Sequence, residues 1–359
     1  MLWNIFNTLQ LLTALELLQV AMPANVKVLQ RTIQETVNFS VIPKDVLYDK
    51  IITPIFGSSN QSETSEKVPE EPTEKEDGEE TSAASQGLEE LFNGENFLQS
   101  ILVSLILFMA LALCTVCLFY CRRSIMSKCW SPVKKLAKAI ERKLMYNSVL
   151  RGLLEVYLMT AISMFNGLNA VSTYTIEEKI SYLLALATAI LCFYFPCWAF
   201  SFVRRNQHKL GKETFQRRYD SLYQNLDISK FESHPFVFVF CMRRLVFAYV
   251  ITNVGFNMVT QVLILDFTCT AVLGYYLTVF PMKNGINNGI HIFNEIVVIL
   301  CVQYLFLFTN YVPDPVLKYD LAVYFIGIIA LNLGLNVLLL IFNILYGLVK
   351  LIKSWYRQR

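Results

Sequence analysis

Histidine is scarce in this chain of 359 residues: His208, His234 and His291 are too dispersed to suggest a metal site. No Walker-type or dinucleotide glycine loop and no Gly-x-Ser-x-Gly elbow occurs, so the commonest nucleotide-dependent and serine-hydrolase chemistries are excluded and no enzyme activity is expected. Only His291 falls in an apolar run, which leaves no pair of helical histidines for a haem, and no cofactor follows from the residues. Nucleic-acid motifs are missing as well, and the net charge of +3 is modest. The nine cysteines, at 114, 117, 121, 129, 192, 197, 241, 269 and 301, all lie in or beside apolar segments. None is in the long polar stretch, which excludes a disulfide-stapled outer domain.

What the chain has instead is apolar runs. It is 55% hydrophobic with a mean hydropathy of +0.44. The apolar residues gather in runs of about 20, the length that crosses a hydrocarbon core at about 1.5 Å per residue. The pattern predicts an all-α polytopic membrane protein, a bundle of seven full spans at 97–121, 150–171, 180–203, 236–254, 258–280, 288–309 and 321–349. An eighth, weaker membrane helix is expected over 1–21, where Gln10 and Glu16 interrupt the apolar run and no basic n-region marks a signal peptide. Residues 22–58, broken by Pro23, Pro43 and Pro54, read as a membrane-surface segment. Residues 59–95 carry twelve acids against two lysines and read as a disordered extracytosolic loop. Residues 96–349 form the bundle, and 350–359 form a basic cytosolic tail.

Counting Lys and Arg in the connections orients the bundle. One side collects twenty and the other eight, which places the C-terminus in the cytosol and the acidic loop outside, in a plasma or secretory-pathway membrane. The sequons at Asn38 and Asn60 fall on the outer side and are candidate glycosylation sites. Val133, Leu136, Ala137, Ile140 and Leu144 recur at helical spacing, with lysines on the opposite face. That is the pattern of an interfacial helix, so membrane lipids are expected partners, anionic lipid at the cytosolic basic segments among them. A second copy of the chain is a further candidate partner.

Arg-Arg-Tyr-Asp-Ser-Leu-Tyr-Gln-Asn-Leu from 217, followed after a polar gap by Phe-Cys-Met-Arg-Arg-Leu-Val-Phe, resembles a recurrent feature of TRP-like transmembrane domains of fungal flavin-carrier-type proteins and protist surface proteins. The matching residues are Tyr219, Leu222 and Tyr223, then the pair Arg243 and Arg244. The Leu-Trp-Asn-Ile-Phe stretch from Leu2 and Tyr-Asn-Ser-Val-Leu from Tyr146 are similar to the protist members. Protist members often carry a large extracellular repeat region and another helix before the Leu-Trp stretch; this sequence begins at that stretch, a departure from their pattern. A channel- or transporter-like bundle is what the resemblance implies, by analogy of fold alone.

Ionisable residues within the predicted spans are the strongest functional signal, because each costs about 2.5–3.5 kcal/mol near mid-membrane on insertion scales. Arg151 and Glu155, four apart, can pair on one helix. Arg243 and Glu295 each lie seven residues past the predicted cytosolic start of their helices, about 10 Å deep, and Asp266 is placed to reach Arg244. A network of Arg243, Arg244, Asp266 and Glu295 is therefore expected, either as a gate or as packing specificity. Asn332, Asn336 and Asn343 share one face of the last span and form a polar stripe, read as interhelical glue or as a pore lining. Two functions stay open: an ion channel or small-solute transporter, and a non-conducting anchor or sensory module.

Overall fold

The computed structural model describes residues 2–18, 20, 22–37, 149–169, 176–253 and 257–358. The predicted span at 97–121, the acidic loop and both sequons lie outside the described residues. Among the described residues nine α-helices follow in order: α1 Leu2–Ala14, α2 Ala24–Val37, α3 Val149–Asn169, α4 Ile176–Arg205, α5 Glu213–Tyr223, α6 Phe236–Thr252, α7 Met258–Val279, α8 Gly285–Phe308 and α9 Pro315–Gln358. Among the described residues no β-strand forms, only one isolated bridge.

Among the described residues five helical segments are long and apolar enough to cross a membrane: Tyr182–Arg205, Phe231–Thr252, Met258–Val279, Gly285–Phe308 and Pro315–Val349. They are consistent with an integral membrane protein. The expected count of seven full spans and one weaker one is not reached among the described residues. Helix α3 is long enough at 21 residues but is not one of the five. Helix α1 has only 13 residues, about 20 Å by helical rise against a hydrocarbon core of about 30 Å, so it is too short to span one by itself. After a short 3-10 turn the chain folds back as α2, whose Val26, Gln30 and Ile33 are buried, with Gln30 Nε2 donating to the Leu12 carbonyl at 3.3 Å.

Burial runs opposite to that of a water-soluble protein. Leu183 and Leu191 on α4, Leu263 and Phe267 on α7, and Tyr324 and Leu331 on α9 face outward, while Arg243, Arg244, Glu295, Asn294, Asn332 and Asn336 are buried. Lipid is the solvent that suits such an exterior, and it forces interior polar groups to satisfy one another.

Local chemistry sets the helix ends and bends. Asp314 Oδ1 accepts from Val316 N at 2.9 Å, and Pro315 occupies the first helical position of α9, where its missing N–H costs nothing. Pro196 lies inside α4 and cannot donate to the Cys192 carbonyl four residues back. Tyr157 on α3 replaces that donor, its hydroxyl bonding the Cys192 carbonyl at 2.7 Å. A proline that would otherwise orphan a buried acceptor thus becomes an α3–α4 contact.

One end of the bundle is clamped through its loops. Helix α7 ends at Phe280, whose φ of 45° is left-handed, and Pro281 prevents continuation. Asp227 N donates to Pro281 O at 2.8 Å and Lys283 N to Asn225 O at 2.8 Å, forming the bridge between Leu226 and Met282. The Asn288 side chain then takes both backbone groups of Met282, each at 2.8 Å. The loops before α6 and α8 are therefore tied together, and this fixes the relative height of those two helices.

Candidate functional site

Helices α6 and α8 start from the clamped end, so residues about two to three turns along them meet at similar height. Arg243 Nη1 donates to Glu295 Oε1 at 2.5 Å, with side chains only 6% and 9% exposed. Its Nη2 lies 3.8 Å from Cys269 Sγ on α7, and the guanidinium sits 5.6 Å from the Phe247 ring centre. The structure thus brings together Arg243 and Glu295, two of the four residues of the expected network.

Asp266 is elsewhere, which corrects the expectation. The inward stripe of α7 is Gln261, Val262, Leu265, Cys269, Val272 and Tyr276, so Cys269 takes the position against Arg243. Asp266 is turned aside and accepts from Gln303 Nε2 on α8 at 3.4 Å. Depth along a helix says nothing about direction around it, and direction decides this contact.

Arg244 is only 1% exposed and its hydrogen-bond partners are neutral. Its Nη2 donates to Asn7 Oδ1 at 2.8 Å and to Gln10 Oε1 at 3.3 Å, and its guanidinium lies 3.8 Å from the Phe240 ring centre. Both amides come from α1. The polar residues that make α1 a poor span are the ones that hold this arginine. Asn4, Asn7 and Gln10 recur every three residues on one helix face, a signal in the sequence that apolarity alone does not weigh.

Between α1, α6, α7 and α8 lies a cavity of about 40 Å³, lined by Arg243, Arg244, Glu295, His291, Tyr276 and Asn7 among others. His291 stacks on Tyr276 with ring centres 5.3 Å apart, and its Nε2 lies 3.0 Å from Asn4 Nδ2. Arg243 Nε, Arg244 Nε and Glu295 Oε2 are buried without a hydrogen-bond partner. Buried charged groups with unused polar atoms around a small cavity mark a place built to hold water or an ion.

A second polar cluster lies beside it. Asn294 Oδ1 accepts from Asn332 Nδ2 at 3.1 Å and from Asn336 Nδ2 at 2.8 Å, and Asn336 Nδ2 is 3.2 Å from Asn332 Oδ1. Each amide bonds both others. Asn343 is exposed and outside this triad. It shares the face of Asn332 but stands about 16 Å further along α9 by helical rise, and the 24-residue α8 carrying Asn294 is much shorter than the 44-residue α9.

Residues of the Tyr-Leu-Tyr motif dock α5 against the end of α4. Phe202 stacks on Phe215 at 5.8 Å and meets Tyr219 at 4.7 Å, Leu222 is buried, and the Tyr223 hydroxyl donates to Leu210 O at 3.2 Å. Burial pushes the Tyr223 phenol above its ordinary range. Arg151, expected to pair with Glu155, donates to the Gln224 side chain just past α5. Among the described residues no group of three or more His, Cys, Asp and Glu side chains could hold a metal ion. Compared with protein-family models, curated proteins and solved structures, the chain matches none.

Proposed function

We propose that this chain is a multi-pass membrane protein that moves an ion or small solute through its helix bundle, with the Arg243, Arg244 and Glu295 cavity on the path. The observation that carries the reading is the unfinished bonding of that cavity: three ionisable side chains, each buried, keep Nε, Nε and Oε2 without partners. A cluster serving packing alone gains nothing from atoms left unbonded in low dielectric, where each is costly. The likeness to TRP-like transmembrane domains supports the same reading, as does the outer apolar surface. In this proposal the C-terminus is cytosolic, anionic lipids contact the basic segments, and Asn38 and Asn60 carry glycans. Purified full-length protein in vesicles is expected to give ion flux above empty vesicles, and Glu295→Gln is expected to change it about tenfold while folding survives. Folded wild-type protein that gives no flux overturns the reading.

A second reading is a non-conducting anchor or sensory module. The observation favouring it is the cavity's size, since about 40 Å³ is room for water-sized particles. An anchor gives no flux under any condition, and cross-linking at the acidic segment captures a partner protein.

A further inference from the structure

We propose that the cavity binds one small monovalent anion of halide size, with Arg244 as its charge partner. The argument begins with charge balance. Arg243 and Glu295 close one ion pair at 2.5 Å. Among the described residues, Arg244 has only the amide oxygens Asn7 Oδ1 and Gln10 Oε1 as hydrogen-bond acceptors, and the Phe240 ring against it. Asp266, the other acid predicted to meet it, bonds Gln303, and Glu155 is solvent-exposed on α3. The cluster therefore carries one excess positive charge at a side chain that is 1% exposed. Arginine does not release its proton in proteins, so the excess cannot be relieved by neutralisation. A counter-ion relieves it.

The geometry selects the kind of counter-ion. Arg243 Nε and Arg244 Nε are donors without acceptors on two residues that line one cavity, which suits an anion. A volume of about 40 Å³ has room for about one to three water-sized particles, which suits an ion of halide size. Glu295 Oε2 also lacks a partner there, and it takes a water as donor while the anion sits toward the two Nε groups. His291 and Asn4 bond one another at the edge and need not supply charge. As a statement about what is carried, this inference rests on the transport reading above; as a statement about binding, it is measured without flux.

Chloride is the probe. The chloride-35 line width of the purified full chain in detergent is expected to show saturable excess broadening that bromide displaces. Arg244→Gln is expected to weaken that binding at least tenfold, and Arg204→Gln, at an exposed arginine, to leave it unchanged. Asn7→Asp gives a sharper arm. It places a carboxylate where an amide oxygen already contacts Arg244 at 2.8 Å, so the protein supplies its own counter-ion, stays folded and loses chloride binding. Folded wild type with no saturable broadening, or Asn7→Asp that binds chloride as wild type does, overturns the proposal. Chloride binding in a protein that passes no ion in vesicles removes the transport reading and keeps the site. Flux of a cation from protein that binds no chloride does the reverse.

Discussion

Two buried polar clusters lie next to each other in this bundle, and they are built differently. The Asn294, Asn332 and Asn336 triad is closed, each amide bonding both others across α8 and α9. The Arg243, Arg244 and Glu295 cluster is open, with polar atoms unbonded around a cavity. Asn294 touches both, since it also lines the cavity. A closed cluster holds helices together, whereas an open one keeps capacity to bind something else. Polarity in a membrane span therefore does not by itself distinguish the two clusters; the unbonded atoms around the cavity do.

Breaking each cluster should have effects of different size and kind. Glu295→Leu leaves two buried guanidinium groups without a carboxylate and is expected to destabilise the protein by about 3–5 kcal/mol, read as thermal unfolding in detergent. The double variant Arg243→Met with Glu295→Leu should recover much of that loss, since a buried pair replaced by apolar residues is often close to neutral. If the single and double variants were equally unstable, the pair would not be the unit described here.

Tyr157→Phe comes next. It orphans the Cys192 carbonyl that Pro196 has already deprived of its helical donor, and the expected cost is about 1–3 kcal/mol. Combining it with Pro196→Ala, which restores the N–H, should return most of the stability. Asn336→Ala removes one member of the closed triad and should cost about 0.6–1.7 kcal/mol, the range measured for hydrogen bonds between membrane helices, with chloride binding and flux unchanged. A large change in flux would show that the triad belongs to the site. The smallest effect is expected from Asp266→Asn, which keeps a polar partner for Gln303 at 3.4 Å and leaves chloride binding at the wild-type level.

Much of this was legible in the sequence, and what was not has a physical reason. Apolar runs locate α4 and α6 through α8 to within a few residues, because a span must be long and continuous, whereas α9 runs beyond its expected span at both ends. Equal depth brings Arg243 to Glu295, and a spacing of four puts Asn332 and Asn336 on one face. Depth alone misplaces Asp266, since direction around α7 is set by which residues pack inward. The stripe fails at Asn343 because periodicity continues along α9 where α8 no longer accompanies it. The largest omission is α1. Judged by apolarity it is a defective span, yet Asn7 and Gln10 are the side chains that Arg244 bonds. A polar face on a short helix finds its meaning only when the charge it solvates is known.

The most direct test of the central claim is radiotracer chloride uptake into vesicles holding the purified full chain, with Asn336→Ala and Asn7→Asp measured beside wild type. Uptake is expected in wild type and Asn336→Ala, and a loss of at least tenfold in folded Asn7→Asp. Equal uptake by all three proteins, or none above empty vesicles, contradicts it.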